Sequence, residues 1–338
     1  MPSRSVTSYC ALHGRSMGTT WTISFANPDG RIDTQALDIA LQLALQPITE
    51  QMSTWETDSV ISRINAAEQG WYQLPDGFFH VLSTALDVAA QTKGAYDPTL
   101  GRLVELWGFG PGGTITTTPD DKDIRAALNL AGWHRTAINT EHRGIWQPGG
   151  LRFDLSSIAK GYGVDQMAAV LDQHAIEHYL VELGGELKAR GQNPQGTRWA
   201  LAIETPETGP DSALQQDTKG ISGESGQVSS SSLPISLSDC AIATSGDYRR
   251  YFQADGRRYA HTLDSRTGRP LDHNLASVSV LHSECMLADA LATALLCLGP
   301  EHGPAYARAH RIPAIFMHRH PNDLSVEWTD EFSALTLG

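Results

Sequence analysis

The second half of the sequence contains several short strand-like segments that follow one another with few helices between them. Alternating and β-branched residues mark five of them: HYLVELGG (178–185), WALAIETP (199–206), PISLSDCAIATSG (234–246), RYAHTLDSRTGRP (258–270) and LASVSVLH (275–282). Strands and helices alternate in doubly wound parallel folds, whereas runs of strands are typical of α+β folds. The sequence therefore predicts an α+β fold of mixed sheets and helices.

Helical periodicity marks most of the first half and two segments of the second half. Residues 33–55 have apolar side chains every three or four positions, with Asp33 or Thr34 as the expected N-cap. A helix is also predicted from Ala159 to about His174, and a buried one over 283–299. TTWTISF (19–25), GGLRFDL (149–155) and IPAIFMH (312–318) are predicted to be strands, IPAIFMH as the last strand of the chain.

The charge balance limits the partners of the chain. Lys and Arg number 25 against 38 Asp and Glu, so the formal net charge is −13 over 338 residues. Such a surface repels nucleic acid and anionic lipid, and we expect no nucleic-acid partner. The charge of an anionic ligand would have to be met locally, by a cation, a lysine or helix N-termini.

Length and local composition bear on domain organisation. The length is compatible with two domains or with one large domain that contains subdomains. Residues 1–14 are interpreted as a tail, and the segment 206–232, rich in Gly, Ser and Gln, as a mobile surface insertion.

Cysteine usage and apolar runs bear on cellular context. The four cysteines lack both zinc-ligand spacing and the pattern of a disulfide framework. The sequence contains no run of about 18 apolar residues, so no membrane span is predicted. The N-terminus lacks the apolar core of a signal peptide, so we expect a cytoplasmic protein if this N-terminus is native and a secreted one if a signal has been removed.

The helix predicted over 283–299 carries one acid, Asp289, in an otherwise apolar segment, with Thr293 one turn later on the same face. A buried carboxylate must be paired or ligated, because burying it alone is very costly. Carboxylate, hydroxyl and backbone carbonyl oxygens together suit Mg²⁺ better than zinc. The alternative is that Asp289 caps a neighbouring helix or pairs with an arginine.

Three other segments could carry chemistry. His261, in a strand before a turn, is either a general base or a structural histidine. Trp107 and Phe109 flank a Gly-rich loop and suit either a nucleotide or flavin ring or the core. In DLSSIAKGYGVDQ (154–166), Ser157 and Lys160 have the S-x-x-K spacing of serine acyl enzymes, but Lys160 also lies where a helix N-terminus would attract an anion.

Several segments, in order along nearly the whole chain, together resemble one family, the ApbE-type FAD:protein FMN transferases. The matching segments are MGTTW (17–21), MSTWETDSVISRIN (52–65), GAYDPTLGRLVELWGFGP (94–111), DLSSIAKGYGVD (154–165), ELGGE (182–186), ATSGDYRRYF (243–252), HTLDSRTGRPL (261–271) and ADALATALLCLG (288–299). No single segment is decisive, but eight in register are specific. The resemblance implies a single domain over residues 1–338, with a T-fold-related arrangement of two subdomains that flank an FAD-binding cleft.

The resemblance also implies an activity and a site. Members of the family transfer FMN from FAD to a Thr or Ser hydroxyl of an acceptor protein through a phosphoester bond, with Mg²⁺ as cofactor and AMP as the released product. It implies Mg²⁺ ligands at Asp289, Thr293 and Ser157, the last through its carbonyl, and His261 as general base. The positions that correspond to FAD contacts are Met17, Trp55, Ala95, Tyr96, Asp97, Asp154, Lys160 and Leu263.

The chain departs from the family pattern in places, and related activities stay open. Trp55 stands where the family often has tyrosine, Lys160 where it has either lysine or an acid, and the 206–232 insertion is longer than the family needs. An FAD pyrophosphatase and a non-catalytic FAD-binding protein are the alternatives within the same fold, and the S-x-x-K acyl enzyme is a remote one. The resemblance implies a periplasmic location and, as acceptor, a redox or respiratory membrane-complex subunit with a Ser/Thr-containing motif.

Overall fold

A computed structural model describes residues 8–206, 232–248, 250–254, 256–321 and 323–336. Its strands are β1 (Tyr9–Ser16), β2 (Thr19–Ala26), β3 (Gly70–Gln73), β4 (Ile138–Asn139), β5 (Gly144–Gln147), β6 (Tyr179–Leu183), β7 (Glu186–Arg190), β8 (Trp199–Glu204), β9 (Ser232–Leu237), β10 (Cys240–Gly246), β11 (Tyr251–Ala254), β12 (Arg257–Ala260), β13 (Leu263–Asp264), β14 (Arg269–Pro270), β15 (Leu275–His282), β16 (Ala314–Arg319) and β17 (Leu324–Trp328). Its α-helices are α1 (Thr34–Met52), α2 (Val60–Ala66), α3 (Asp76–Gln91), α4 (Gly101–Leu106), α5 (Asp121–Leu128), α6 (Ala159–Gln173), α7 (Cys285–Ala309) and α8 (Asp330–Thr336).

The centre of the fold is an eight-stranded antiparallel sheet in the order β1-β2-β6-β7-β10-β15-β16-β17. Most of its strands come from the second half of the chain, as the run of strand patterns predicted. Because neighbouring strands are antiparallel and helices are not interleaved with each strand, the α+β prediction is confirmed.

The two faces of this sheet are covered differently. One face packs against α1, α6 and α7, and its largest apolar cluster joins Ile23 and Val181 of the sheet to Leu41 of α1 and Met167 of α6. The β8–β9 hairpin and α8 cover the opposite face. The N-cap of α1 is Asp33, one of the two predicted candidates, and its side chain accepts from two backbone amides of the first turn.

Helices α6 and α7 cap each other. The carboxylate of Asp165 in α6 accepts from the amides of Cys285 and Met286 at the start of α7, at 3.0 and 2.9 Å. In return, Asp289 of α7 accepts from the amide of Gly161 in the first turn of α6 at 3.1 Å. First-turn amides have no partner within their own helix, so each helix end is completed by the other helix.

Gly161 sits where the two helices approach most closely, because a Cβ atom there would lie 2.3 Å from the carbonyl oxygen of Cys285. We expect Gly161→Ala to lower the free energy of unfolding by about 1–3 kcal/mol, the usual cost of overpacking. Urea denaturation measures the change. Gly112→Ala is the control: no atom lies within 4 Å of a Cβ at that position, so equal losses in both variants would contradict the packing explanation.

Three expectations from the sequence are corrected. Residues 9–14, interpreted as tail, belong to edge strand β1. GGLRFDL forms only a single bridge, between Leu100 and Arg152, because its backbone bonds to a loop and to the side chain of Asn65 instead of a strand. IPAIFMH is not the last strand, since β17 follows β16. The predicted insertion falls almost wholly on residues 207–231, which lie outside the described residues.

None of the helices in the described part of the chain is both long enough and apolar enough to span a bilayer.

Candidate active site

A cleft made of two adjoining cavities opens at one end of the main sheet. Its walls include two tight hairpin turns, Met17–Gly18 between β1 and β2 and Gly184 between β6 and β7, and the end of β10. Met17 and Gly18 have φ values of 52° and 74°, and the turn residues Gly184 and Gly185 have 60° and 101°. Two-residue hairpins with positive φ at both positions match the twist of the strands they join, so these walls are rigid parts of the sheet.

The structure brings all twelve predicted site residues to this cleft. One cavity is lined by Met17, Ala95, Tyr96, Asp97, Asp154, Ser157, Lys160, His261, Leu263, Asp289 and Thr293. The adjoining cavity is lined by Trp55 together with Met17, Asp154 and Lys160, which it shares with the first. We call the first the polar cavity and the second the aromatic cavity.

Asp289 lies in the wall of the polar cavity with only 4% of its surface exposed. Burial raises the pKa of its carboxyl above the ordinary range, and the nearby carboxylate of Glu186 raises it further. Thr293, one turn along α7, shares a hydrogen bond with the Ser245 hydroxyl at 2.7 Å. The sequence left open whether Asp289 is a ligand or a cap; it does cap α6, and it also faces the cavity.

The surroundings of Ser157 contradict the S-x-x-K interpretation. Its hydroxyl donates to the hydroxyl of buried Tyr96 at 3.2 Å, whereas Lys160 pairs with Glu186 at 2.5 Å. Ser157 lies just before α6, and the first-turn amide of Gly161, which has no acceptor within α6, donates to Asp289 and not to the Ser157 carbonyl. The Ser157 carbonyl therefore receives no hydrogen bond from the Gly161 amide, and Ser157 and Asp289 line the same cavity.

The ring of His261 is held in one tautomer. Nδ1 lies 3.1 Å from the carbonyl oxygen of Arg250, and since a carbonyl only accepts, Nδ1 carries the proton and Nε2 has the free lone pair. The ring packs edge-on against Phe109. Burial, followed by the positive charge of Arg250, lowers the pKa of His261 to about 4. The imidazole is therefore neutral and able to accept a proton at neutral pH.

Two cations, Lys160 and Arg250, line both cavities and stand where they join. The Arg250 guanidinium donates to the carbonyl of Phe109 at 3.0 Å. The ammonium of Lys160 bonds to Glu186, the first residue of β7. A Cβ at Gly184 would lie 3.2 Å from Cδ of Lys160, so the glycine turn also leaves room for the lysine stem.

The two aspartates with predicted FAD contacts also shape the loops. Asp97 accepts from the amide and hydroxyl of Thr99 and from the amide of Trp133, and burial raises its pKa. Asp154 accepts from the amide and hydroxyl of Ser156. Both carboxylates thus fix the backbone that forms the cavity wall.

The aromatic residues divide between core and cleft. Trp107 is buried, stacks on Tyr259 and donates to the carbonyl of Gly268, which makes it a core residue. Trp55 is 57% exposed at the aromatic cavity, beside Met52 and Met17. An exposed indole ring beside two methionine side chains suits contact with an aromatic ring system.

Sequence reasoning missed Glu186, Arg250 and Ser245 as lining residues. All three lie inside segments quoted for the family resemblance, yet no spacing rule relates any of them to the residues it contacts. Only the pairing of distant strands and helices brings them to the cavity.

The oxygen donors of the polar cavity fit a hard divalent cation that takes its other ligands from a bound substrate and from water. Asp289, Thr293 and the carbonyl of Ser157 supply only oxygen, as Mg²⁺ prefers. Within the described ranges, no group of three or more His, Cys, Asp or Glu could hold a metal by itself. The remaining ligands would come from water and from an anionic substrate, which is usual for Mg²⁺ at phosphate-binding sites.

Comparison with known proteins gives one consistent result. The model of the ApbE family matches residues 17–316. The FAD:protein FMN transferase of Vibrio cholerae is 38% identical over 309 residues, which cover 90% of this chain and 86% of that protein; the one from Escherichia coli K12 is 33% identical over 326 residues, covering 95% and 87%.

Solved structures agree. The apo form of the flavinyl transferase ApbE from Pseudomonas stutzeri superimposes with a TM-score of 0.84 at 34% identity and covers 97% of each chain. The flavin transferase ApbE from Vibrio cholerae gives a TM-score of 0.85 at 34% identity, covering 97% of this chain and 99% of that one.

Proposed function

Because this chain belongs to the ApbE family and is an FAD:protein FMN transferase, we propose that it transfers FMN to a Thr or Ser hydroxyl with Mg²⁺ as cofactor and His261 as general base. The observation that carries the proposal is the polar cavity, whose lining includes a buried carboxylate, a neutral histidine and two cations. AMP is the other product.

The residues that would hold Mg²⁺ are Asp289, Thr293 and the carbonyl of Ser157. When bound, the ion supplies a positive charge that stabilises the negative charge developing on the phosphate oxygens. The all-oxygen donor set and a Ser157 carbonyl that receives no bond from the Gly161 amide support this assignment.

His261 removes the proton of the attacking hydroxyl. Nε2 accepts that proton while Nδ1–H stays bonded to the Arg250 carbonyl, so the ring keeps its orientation. The hydroxyl oxygen forms a bond to the phosphorus on the FMN side of the diphosphate. The bond from that phosphorus to the bridging oxygen breaks, and its electron pair leaves with AMP.

Lys160 and Arg250 bind the diphosphate in this proposal. Both stand where the two cavities join, so the flavin ring would lie in the aromatic cavity beside Trp55 while the phosphates reach the polar cavity. Guanidinium and ammonium groups are the usual partners of phosphate oxygens, and on a chain of net charge −13 they provide the local positive charge that the substrate needs.

The acceptor and the compartment complete the proposal. We assign the acceptor to the subunits of redox or respiratory membrane complexes that carry a Ser/Thr-containing flavinylation motif, and the reaction to the periplasm. Family resemblance supports both assignments. Detection of the protein in a periplasmic fraction would test the second.

The activity is tested by incubating the protein with FAD, Mg²⁺ and an acceptor that carries the motif. We expect in-gel flavin fluorescence on the acceptor, release of one AMP for each FMN attached, and loss of both on adding EDTA. An acceptor whose Thr or Ser is replaced by alanine is the control. AMP release without labelling would instead identify an FAD pyrophosphatase.

The protonation of His261 predicts the pH profile of the transfer. Because its pKa is lowered to about 4, the ring stays unprotonated as the pH falls through the range in which an ordinary histidine gains its proton. At saturating Mg²⁺, which keeps Asp289 ionised, we expect kcat/KM for the acceptor to stay level down to about pH 5.

Initial rates between pH 4.5 and 8 measure this profile. In Arg250→Gln the acid limb should move to higher pH, since removal of the neighbouring positive charge raises the histidine pKa. An acid limb near pH 6.5 in the wild type would show that the base titrates as a solvent-exposed histidine.

A further inference from the structure

Glu186 is a buried acid in the polar cavity to which the proposed reaction gives no role. Its side chain is 1% exposed. Oε1 accepts from the Lys160 ammonium at 2.5 Å, while Oε2 is buried and has no hydrogen-bond partner among the described residues. A carboxylate oxygen in this state is costly to keep, so its retention calls for a functional explanation.

The charges around Glu186 are unfavourable for a diphosphate. Among the described side chains that line the polar cavity, four carboxylates face two cations, a formal excess of two negative charges. The carboxylates are Asp97, Asp154, Glu186 and Asp289, and the cations are Lys160 and Arg250. Of the two cations, Lys160 is the one that has a buried carboxylate bonded to it directly.

Glu186 is bonded to Lys160 and lines the same cavity as Asp289, which links the anion-binding group to the proposed metal ligand. Lys160 and Glu186 have opposite electrostatic effects on Asp289, so the three side chains interact as one cluster. With Glu186 present, the cluster has a formal charge of −1 when Asp289 is ionised; a divalent cation would reverse its sign.

We propose that Glu186 makes FAD binding depend on the divalent cation, because its carboxylate offsets the charge of Lys160 until a cation at Asp289 reverses the sign of the cluster. This inference rests on the proposed function and extends it. Glu186 acts as a positioning residue: it touches Lys160 and not the reacting atoms. Its consequence is that FAD and the cation each strengthen the binding of the other, as thermodynamic linkage requires.

The test compares Glu186→Gln with the wild type by binding rather than by activity. Glutamine keeps the shape and an oxygen that accepts from Lys160 but removes the charge. We expect FAD in EDTA to bind the variant about tenfold more tightly, as removal of one charge a few ångströms from the phosphates implies. Mg²⁺ alone, titrated calorimetrically, should bind several-fold more weakly, and the gain in FAD affinity on adding MgCl₂ should shrink by about the same tenfold factor.

Glu182→Gln is the matched control. Glu182 lies on the neighbouring strand β6 and accepts from the Gly185 amide at 2.7 Å, but it is not among the residues that line the cleft. Its neutral variant should leave both affinities and their coupling unchanged. Circular dichroism and thermal melting show whether each variant is folded.

Two outcomes overturn the inference. One is that the wild-type protein binds FAD equally well in EDTA and in MgCl₂. This result can be obtained with the wild type alone. The other is a folded Glu186→Gln protein in which the ratio of the two FAD affinities is that of the wild type. A wild type that binds no FAD in either buffer would instead remove the proposed function itself.

Discussion

Asp289→Asn is expected to reduce FMN transfer at least about a thousandfold while the protein stays folded. Asp289 is the only carboxylate among the three residues assigned to the metal, so the variant loses the charge that holds the cation. Its amide oxygen still accepts from the Gly161 amide, so the cap on α6 remains. FAD binding should weaken in MgCl₂ and lose its response to EDTA.

Rates of acceptor labelling and FAD affinities measure these effects, and thermal melting reports on the fold. Asp172→Asn is the matched control. Asp172 lies in α6, which packs against α7, but its carboxylate pairs with Arg190 at the surface. Asp289→Ala should lose transfer as well and should also be less stable, since it removes the cap. Transfer by Asp289→Asn within a few-fold of the wild type would rule out the assigned metal ligand.

His261→Ala is expected to retain FAD binding and to lose transfer by about 10²- to 10⁴-fold, the range usual for removal of a general base. The ring contacts Phe109 and the Arg250 carbonyl, and Lys160, Arg250 and Trp55 remain to hold FAD. The remaining rate should rise with pH, because hydroxide ion then removes the proton of the attacking hydroxyl in place of the imidazole. Added imidazole should restore part of the rate.

Single-turnover labelling with FAD already bound separates this effect from substrate affinity. His174→Ala is the control: its ring bonds to the Val170 carbonyl at the end of α6, away from the cleft. A His261→Ala protein with an unchanged rate, or with a reduced rate that ignores both pH and imidazole, would remove His261 from the mechanism.

The fold class could be predicted from the sequence, but the edge strands of the main sheet could not. Strand β2 alternates buried Trp21, Ile23 and Phe25 with more exposed residues, a pattern visible in the letters alone. Strands β1 and β17 lie at the two edges of the sheet, and neither contains a fully buried residue. Edge strands lack a neighbour on one side and need no apolar face, so their sequences resemble those of loops.

The same distinction applies to the site. Asp289 could be found because a single acid in an apolar helix is conspicuous, and His261 because its segment resembles the family. Glu186 and Arg250 could not, because their importance depends on contacts with Lys160 and Phe109 that are set by strand pairing and loop packing. A local sequence pattern identifies a residue that is unusual in its own segment. It does not identify a residue that is typical of its segment and whose role depends on contacts with distant parts of the chain.

The mutual caps of α6 and α7 have a consequence for how the protein opens. The first turn of each helix is bonded to a carboxylate from the second turn of the other, so the two helix ends stabilise each other. In hydrogen exchange, the amides of Gly161, Cys285 and Met286 should therefore share one opening free energy and exchange together as a single cooperative unit. The proposed metal ligands Asp289 and Ser157 would then belong to that unit, and the site would keep its shape through the local fluctuations that expose other parts of the chain.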